Sequence, residues 1–286
     1  MKALLFPGQG SQLKGMGKDV FSRYPGLTRF ASEVLGYDLA ALCLEDPEGK
    51  LAQTQYTQPA LFTVQALLTF ERAHREEAPA DVLLGHSLGE YNALLAAGSF
   101  DFATGLRLVR RRGELMAAAS GGGMSAVMNV TPERLSSLLR EHGVGGLEFA
   151  GFNTDTQLVI AGSSSALQRA QDVLRQHQIT TVPLRVSAPF HSSYMEPARA
   201  QFESFLADVD FREPAVPVIS NVTGRPHERG SIARLLCEQL VRAVRWTDSI
   251  RYLLGVEPRV EFTEIRGRTL TQMVEQIRKP VANQPV

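Results

Sequence analysis

The chain has 286 residues, 44% of them hydrophobic, and its 30 basic residues balance 30 acidic ones. This length supports a full hydrophobic core, and a net charge of zero argues against nucleic acid or an anionic membrane as the main partner. Cys43 and Cys237 are far apart and lack metal-ligand spacing, so we expect buried free thiols in a reducing cytoplasm and no metal site.

The amino-terminal segment is predicted to place a strand at residues 3–6 before a loop, Pro7-Gly8-Gln9-Gly10-Ser11-Gln12, and a helix from about Asp19. The start is too short for a signal peptide, and no later stretch is long enough to span a bilayer. The loop lacks the third glycine and the acidic residue of a dinucleotide fingerprint. We therefore expect a ligand-facing loop and no nucleotide cofactor.

A helix over residues 57–75 leads to an apolar strand at residues 82–84, which runs into Gly85-His86-Ser87-Leu88-Gly89 and a second helix. Gly-x-Ser-x-Gly between a strand and a helix is the pattern of a nucleophile elbow, a strained turn with no room for side chains two residues before and after the serine. Backbone N–H groups of such a turn point at the oxygen that becomes negative during acyl transfer. The segment predicts Ser87 as a nucleophile on a parallel α/β sheet.

Beyond Ser120-Gly121-Gly122-Gly123, predicted to be a flexible hinge, the pattern changes to strand, helix, strand, strand, helix, strand. This order is the ferredoxin-like arrangement, which predicts a small domain at residues 123–189 inserted in a large domain of residues 1–122 and 190–286. Its elements are predicted as strands at 125–130, 147–152, 157–161 and 180–186 and helices at 132–142 and 164–177. The large domain resumes with a helix to about residue 207 and strands at 216–221 and 260–264, and residues 279–286 are predicted to fray.

Three separated motifs now coincide with this layout. They are Phe6-Pro7-Gly8-Gln9-Gly10-Ser11-Gln12, Gly85-His86-Ser87-Leu88-Gly89-Glu90-Tyr91 and Ser187-Ala188-Pro189-Phe190-His191. Together they resemble the malonyl-CoA:acyl carrier protein transacylases, and most of all the discrete acyltransferases that serve polyketide synthases. The family's order also includes Arg111-Arg112-Gly113, Asn153 before a strand, Ile219-Ser220-Asn221-Val222 and Val244-Arg245-Trp246.

The resemblance implies an α/β-hydrolase-like large domain that uses a CoA thioester as substrate and needs no cofactor. It also implies transfer of malonyl from malonyl-CoA, through an ester on Ser87, to the phosphopantetheine thiol of an acyl carrier protein. The balanced charge and the two isolated cysteines separately predict a cytoplasmic protein without metal, nucleic acid or membrane partner, and a monomer is the default expectation. Polyketide and fatty acid synthesis are both open as the pathway.

His191 is the histidine that the resemblance makes the general base, and an imidazole suits proton removal from a serine at neutral pH. The remaining histidines, apart from His86, lie in polar helices or a polar loop and are expected at the surface: His74, His142, His177 and His227. His86 adjoins Ser87 on the turn, points away from it and is expected to shape the site.

Further roles are implied by the resemblance alone. The backbone carbonyl of Gln239 would orient His191, although the local pattern favours a surface glutamine on a helix. The backbone N–H groups of Gln9 and Leu88 would form the oxyanion hole. Asn153 would join His86 among the substrate-binding residues.

Arg112 lies in an arginine-rich helix whose face is otherwise expected to be solvated. A guanidinium binds a carboxylate through two parallel hydrogen bonds, so Arg112 beside Ser87 would select malonyl over neutral acyl groups. Phe190 would crowd the space of an α-methyl branch, with simple core packing as an equal alternative.

The chain departs from the family near residues 264–273, where Arg266-Gly267-Arg268 replaces the usual Gly-Pro-Gly turn. The arginines would bind CoA phosphates or an acidic carrier protein, or would only solvate a loop. Two other functions stay open: a hydrolase that clears acyl groups from carrier proteins, and a non-catalytic docking protein. Retention of Ser87, His191 and Arg112 argues against both.

Overall fold

A computed structural model describes residues 1–279, so residues 280–286, which include most of the end predicted to fray, lie outside the described residues. Within that range the strands form two sheets of four. The strands are β1 (Lys2–Phe6), β2 (Val82–Gly85), β3 (Gly123–Met128), β4 (Leu147–Phe152), β5 (Gln157–Gly162), β6 (Thr181–Pro183), β7 (Val218–Ile219) and β8 (Glu261–Glu264).

Helices surround both sheets. The α-helices are α1 (Lys18–Phe21), α2 (Pro25–Leu35), α3 (Leu39–Leu44), α4 (Thr54–His74), α5 (Gly89–Ala96), α6 (Phe102–Ala118), α7 (Pro132–Glu141), α8 (Ser164–Gln176), α9 (Glu196–Leu206), α10 (Ile232–Gln239), α11 (Trp246–Val256) and α12 (Thr269–Ile277). None of the helices that the structure describes is long and apolar enough to cross a membrane.

The first sheet is parallel and has the order β7-β2-β1-β8. Side chains alternate across a strand, and β1 is apolar on both faces. Leu4 and Phe6 enter the largest core cluster, whereas Ala3 and Leu5 enter a second cluster with Trp246. The sheet is therefore covered on both sides, as expected for parallel strands, and the predicted α/β class is confirmed.

The second sheet is antiparallel and has the order β4-β5-β3-β6, which is the ferredoxin-like arrangement. In β5, Leu158 and Ile160 pack with α7 and α8 in a cluster of their own, whereas Val159 and Ala161 face the main core. The small sheet therefore presents one apolar face to its own helices and the other to the cleft beside the parallel sheet.

Backbone hydrogen bonds join the small sheet to the segment between α10 and α11. Val244 donates to the carbonyl of Ala150 at 3.0 Å and accepts from the N–H of Phe152 at 2.9 Å, which makes a parallel bridge to the edge of β4. The Glu148 carboxylate also accepts the N–H of Ser193 at 3.0 Å, close to the segment that carries His191. These contacts hold the small sheet against the segments of the functional site.

Several predicted elements differ at their ends. Pro25 separates α1 from α2 where one helix was predicted, and the predicted helix after residue 190 is a 3-10 turn at Ser193–Met195 followed by α9. Strand β6 ends at Pro183; Leu184 still donates its N–H to the carbonyl of Met124 in β3, and residues 185–186 lie outside the strand. The predicted hinge is wrong at Gly123, which pairs with Gly162 in the sheet; a Cβ on Gly122 would lie 2.2 Å from the Gly162 oxygen, so close backbone approach requires that glycine.

Candidate active site

Ser87 lies on the tight turn between β2 and α5, and its backbone is left-handed with φ of 52°. The flanking glycines are required by space. A Cβ on Gly85 would lie 1.9 Å from the carbonyl carbon of Gly89, and a Cβ on Gly89 would lie 1.9 Å from the oxygen of Phe6. Because real Cβ atoms do not approach backbone so closely, only glycine fits at positions 85 and 89. The strained serine between them is held at the end of the strand.

The hydroxyl of Ser87 meets the imidazole of His191, with Oγ and Nε2 2.8 Å apart. On the other side of the ring, Nδ1 lies 2.7 Å from the backbone carbonyl oxygen of Gln239. A carbonyl only accepts, so Nδ1–H donates to it and Nε2 is left to accept the serine proton. The arrangement is a nucleophile, a base and an orienting acceptor in hydrogen-bond sequence.

The imidazole is kept neutral by its surroundings. Burial, together with the positive charge of Arg112, lowers the pKa of His191 to about 3. A neutral imidazole can accept the hydroxyl proton at any physiological pH. A negative charge placed on Arg112 would offset the guanidinium and make His191 a stronger base.

Arg112 lies fully inside the protein, with 1% of its surface exposed. Its Nη2 lies 3.0 Å from the Oγ of Ser87 and 3.0 Å from the side-chain oxygen of Gln239, and its Nη1 donates to Gln58 at 2.8 Å. Burial lowers the pKa of Arg112, but a guanidinium still holds its proton. Within residues 1–279 no carboxylate forms an ion pair with it, and its Nε has no hydrogen-bond partner.

A buried charge that no carboxylate contacts directly is costly, so this guanidinium is placed to bind an anion. An acyl group on Ser87 that carries a carboxylate would supply one.

Asn221 and Gln239 hold the turn from behind. The side-chain oxygen of Asn221 accepts the N–H of Ser87 at 2.6 Å, and its amide donates to the carbonyl of Gly85 at 2.6 Å. The Gln239 amide donates to the carbonyl of Ser87 at 3.1 Å. The local pattern, which favoured a surface position for Gln239, is wrong, since this residue is fully buried.

Sequence reasoning did not assign side-chain roles to Asn221, Gln58 or Gln239. The only available signal was the family order for Asn221, because none of these residues stands in a chemically suggestive local pattern.

The backbone N–H groups of Gln9 and Leu88 have no acceptor among the described residues. Leu88 precedes α5, so its N–H is one of the free donors at a helix N-terminus. Gln9 lies in the loop after β1, and the oxygen of His86 would be 2.4 Å from a Cβ on Gly8, so the two backbones touch. Free N–H donors on adjoining backbone segments are the kind of group from which an oxyanion hole is built.

The cavity at Ser87 has a volume of about 280 Å³ and lies between the parallel sheet and the cleft face of the small sheet. His86, Asn153 and Phe190 all line it, as predicted for site residues. The Nε2–H of His86 donates to the side-chain oxygen of Asn153 at 2.9 Å, and burial lowers the pKa of His86. Phe190 is 4% exposed and packs in the main core while facing the cavity, so core packing and a place at the site both apply to it.

His227 is the one histidine whose predicted location is wrong. Its side chain is fully buried, and its Nε2 lies 2.8 Å from Oε1 of Glu90. The polar loop that suggested a surface position folds over α5, with the N–H of His227 donating to the carbonyl of Val218. The other histidines expected at the surface are exposed: His74, His142 and His177.

The altered turn lies at the wall of the cavity. Glu264 accepts the N–H groups of Leu270 and Thr271 at 2.9 and 3.1 Å and so holds the start of α12. Arg268 is exposed and pairs with Glu275 at 3.3 Å. Thr269, Leu270 and Met273 line the cavity directly after it.

Residues 3–283 match the acyl transferase domain family. The chain is 45% identical to BaeC of Bacillus velezensis, a polyketide biosynthesis malonyl CoA-acyl carrier protein transacylase, over 100% of this chain and 99% of BaeC. It is 48% identical to the polyketide biosynthesis protein ThaF of Burkholderia thailandensis over 97% of this chain, but it spans only 24% of ThaF. A crystal structure of a malonyl CoA-acyl carrier protein transacylase from Burkholderia pseudomallei superposes with a TM-score of 0.96, at 44% identity and 99% coverage of both chains.

Proposed function

This chain belongs to the acyl transferase family, and we propose that it moves malonyl from malonyl-CoA to the phosphopantetheine thiol of an acyl carrier protein in polyketide biosynthesis. The resemblance inferred from the motifs is confirmed by the family match. The activity of BaeC and of the superposed transacylase, and the polyketide context of ThaF, support the activity and the pathway.

The observation that carries the proposal is Arg112, a buried guanidinium that forms no ion pair within residues 1–279 and lies 3.0 Å from the Oγ of Ser87. An acyl chain ending in a methyl group would leave this charge unpaired inside the cavity. A malonyl group places its carboxylate a few bonds from the ester, within reach of the guanidinium. The site therefore favours a short acyl group with a terminal carboxylate.

In the first half-reaction, Oγ of Ser87 attacks the thioester carbonyl while Nε2 of His191 takes the hydroxyl proton. The negative oxygen of the tetrahedral intermediate would be held by the N–H groups of Gln9 and Leu88. The carbon–sulfur bond then breaks, and the imidazolium returns its proton to the sulfur of CoA. Gln239 accepts from Nδ1–H throughout and keeps the ring in one tautomer.

In the second half-reaction, the thiol of the carrier protein's phosphopantetheine gives its proton to Nε2 of His191 and attacks the ester carbonyl. Collapse of the second tetrahedral intermediate breaks the bond to Oγ, and Ser87 recovers a proton from the imidazolium. The carboxylate on Arg112 strengthens His191 as a base only while malonyl is bound, which favours reaction of the correct acyl group.

Intact-protein mass measurement tests this proposal. After brief incubation with malonyl-CoA, the wild type is expected to gain one malonyl group, the Ser87→Ala variant none, and added carrier protein is expected to remove the adduct. Ser11→Ala is the matched control, since Ser11 lies in the neighbouring loop and bonds only to the carbonyl of Gly8 through its hydroxyl. Rapid release of free acid from neutral acyl thioesters, with little malonyl adduct, would support the hydrolase instead.

The domain boundaries and the cellular setting are part of the same proposal. Residues 1–122 and 190–286 would form the domain that carries Ser87 and His191, and residues 123–189 the small domain that closes the cavity with Asn153. Cys43 and Cys237 are buried free thiols, which supports a reducing cytoplasm. We propose a monomer, because one chain supplies every group of the site.

A further inference from the structure

Behind the nucleophile turn lies a buried acid–histidine pair that the chemistry above does not use. Glu90, on the first turn of α5, is fully buried, and its Oε1 lies 2.8 Å from Nε2 of His227, whose side chain is also fully buried. Neither residue lines the cavity at Ser87. Buried charged groups are rare unless they are paired, so the pair is a feature that needs a reason.

The second oxygen of Glu90 reaches the groups that hold the site. Oε2 accepts the side-chain N–H of Gln239 at 2.6 Å and the backbone N–H of Asn221 at 3.1 Å. With His227 on the first oxygen, three polar groups converge on two oxygens. Oε2 is therefore an acceptor in both of its contacts, and Oε1 accepts a third hydrogen bond when Nε2 of His227 carries the imidazole proton.

This acceptor decides which way the Gln239 amide points. An amide has a donor end and an acceptor end, and the Gln239 donor end bonds to Glu90 and to the carbonyl of Ser87. Its oxygen is consequently left to face Nη2 of Arg112 at 3.0 Å. The opposite orientation would set two oxygens against each other at Glu90 and two N–H donors against each other at Arg112.

We propose that Glu90 and His227 form a positioning pair, which fixes the amide of Gln239 and thereby aims Arg112 at the acyl carboxylate. The pair touches neither substrate nor reacting atoms. The role rests on the proposed function, because it concerns how that function distinguishes malonyl from neutral acyl groups. Acyl selectivity would then depend in part on two residues that lie behind the nucleophile turn and outside the cavity.

The readout is the ratio of malonyl to acetyl loading on Ser87, followed by quenched intact-mass measurement with malonyl-CoA and acetyl-CoA. A pair that only stabilises the fold would slow both loadings alike and leave the ratio unchanged. Loss of Arg112 positioning affects the acyl group that carries a carboxylate, so the ratio itself must fall.

Glu90→Met removes the acceptor with little change in volume, and we expect the ratio to fall about tenfold, the value of one charge-assisted hydrogen bond. Glu90→Gln can still present an oxygen to Gln239 and is expected to keep the ratio within about threefold of the wild type. The matched control is Glu71→Met, which removes a carboxylate that is 8% exposed and bonds to Arg75, away from the site. The control is expected to lower the melting temperature and leave the ratio unchanged.

Substitutions of His227, the second residue of the pair, give another test if Glu90→Met does not fold. His227→Gln keeps a donor at a similar reach, whereas His227→Leu leaves Oε1 of Glu90 without its donor. We expect the leucine variant to lower the ratio and the glutamine variant to restore most of it.

Three results would overturn the role. These are an unchanged ratio in Glu90→Met while Arg112→Ala lowers it, a ratio in Glu90→Gln as low as in Glu90→Met, and equal ratios in the two His227 variants. Absence of a malonyl adduct on the wild type would instead overturn the proposed function itself, and the positioning role with it.

Discussion

The Nδ1 atom of His191 lies 2.7 Å from the backbone carbonyl oxygen of Gln239, which occupies the place of the carboxylate in a Ser-His-Asp triad. A peptide carbonyl orients the imidazole and selects its tautomer, but it adds no full negative charge beside the ring. The same residue sends its side chain the other way, to Arg112 and to the carbonyl of Ser87. Backbone and side chain of Gln239 therefore serve different groups of the site.

Replacing Gln239 with methionine separates these two roles. The variant retains the carbonyl that orients His191, so we expect acetyl loading of Ser87 to stay within about threefold of the wild type. Malonyl loading is expected to fall about tenfold, because Nη2 of Arg112 loses the acceptor that aims it and only the bond from Nη1 to Gln58 remains to hold the guanidinium. Single-turnover loading with both thioesters measures the two effects, and a comparable fall for both would show that the side chain supports the general chemistry instead.

The low pKa of His191 predicts an unusual dependence of rate on pH. The imidazole must be unprotonated to take the serine proton, and its pKa of about 3 keeps it so across the neutral and mildly acidic range. The kcat/KM for loading should therefore not decline near pH 6.5, where an ordinary histidine would gain its proton. Acetyl-CoA is the thioester to use, since it has no carboxylate of its own that titrates.

Arg112→Met provides the internal check on this pH profile. Removal of the guanidinium removes the largest charge effect that lowers the His191 pKa and leaves burial in place, so the acid limb should move to higher pH. A wild-type limb near 6.5, or a limb that stays in place in Arg112→Met, would contradict the electrostatic account.

Arg112→Ala tests the carboxylate role directly. Loss of a charge-assisted contact is expected to lower malonyl loading about ten- to hundredfold relative to acetyl loading. Arg111→Ala is the matched control, because Arg111 is the adjacent residue of the same helix but is partly exposed and lies 3.8 Å from the Glu114 carboxylate. We expect the control to leave both rates unchanged. Equal losses for malonyl and acetyl in Arg112→Ala would contradict carboxylate selection.

The nucleophile turn could be predicted from sequence because its constraint is local. Glycines two residues before and after Ser87, between an apolar strand and a helix, leave few alternatives for the backbone. The alternation of elements in residues 123–189 likewise predicted the order of the small sheet, since each strand and helix has its own periodicity. His191 and Arg112 needed the family resemblance, because one histidine or one arginine among several has no distinguishing local pattern.

The buried polar network could not be predicted in this way. His227 bonds to Glu90 across 137 positions of sequence, and Gln239 bonds to Ser87 across 152. A polar residue in a polar loop or at a helix end is normally at the surface, and only tertiary packing reverses that preference. The observed ends of some elements differ from the predicted ones for the same reason. Pro25 begins a helix and Pro183 ends a strand, but the length of each element depends on the tertiary contacts of its neighbours.

The two glycines of the nucleophile turn give the sharpest prediction on stability. In Gly85→Ala and Gly89→Ala the new Cβ would lie 1.9 Å from backbone atoms, of Gly89 and Phe6 respectively, and backbone cannot yield as a flexible side chain can. We expect each variant to lose more than about 3 kcal/mol of unfolding free energy, or to fail to accumulate as folded protein.

Urea unfolding of both variants beside Gly145→Ala measures this loss. Gly145 is exposed and its backbone is not left-handed. A Cβ placed on it would have no heavy atom of residues 1–279 within 4 Å, so its replacement should change stability little. If Gly89→Ala were as stable as that control, the approach of β1 to the turn would be looser than the structure has it. The Gln9 N–H would then not be held at a fixed distance from Ser87, and it could not serve as a donor of the oxyanion hole.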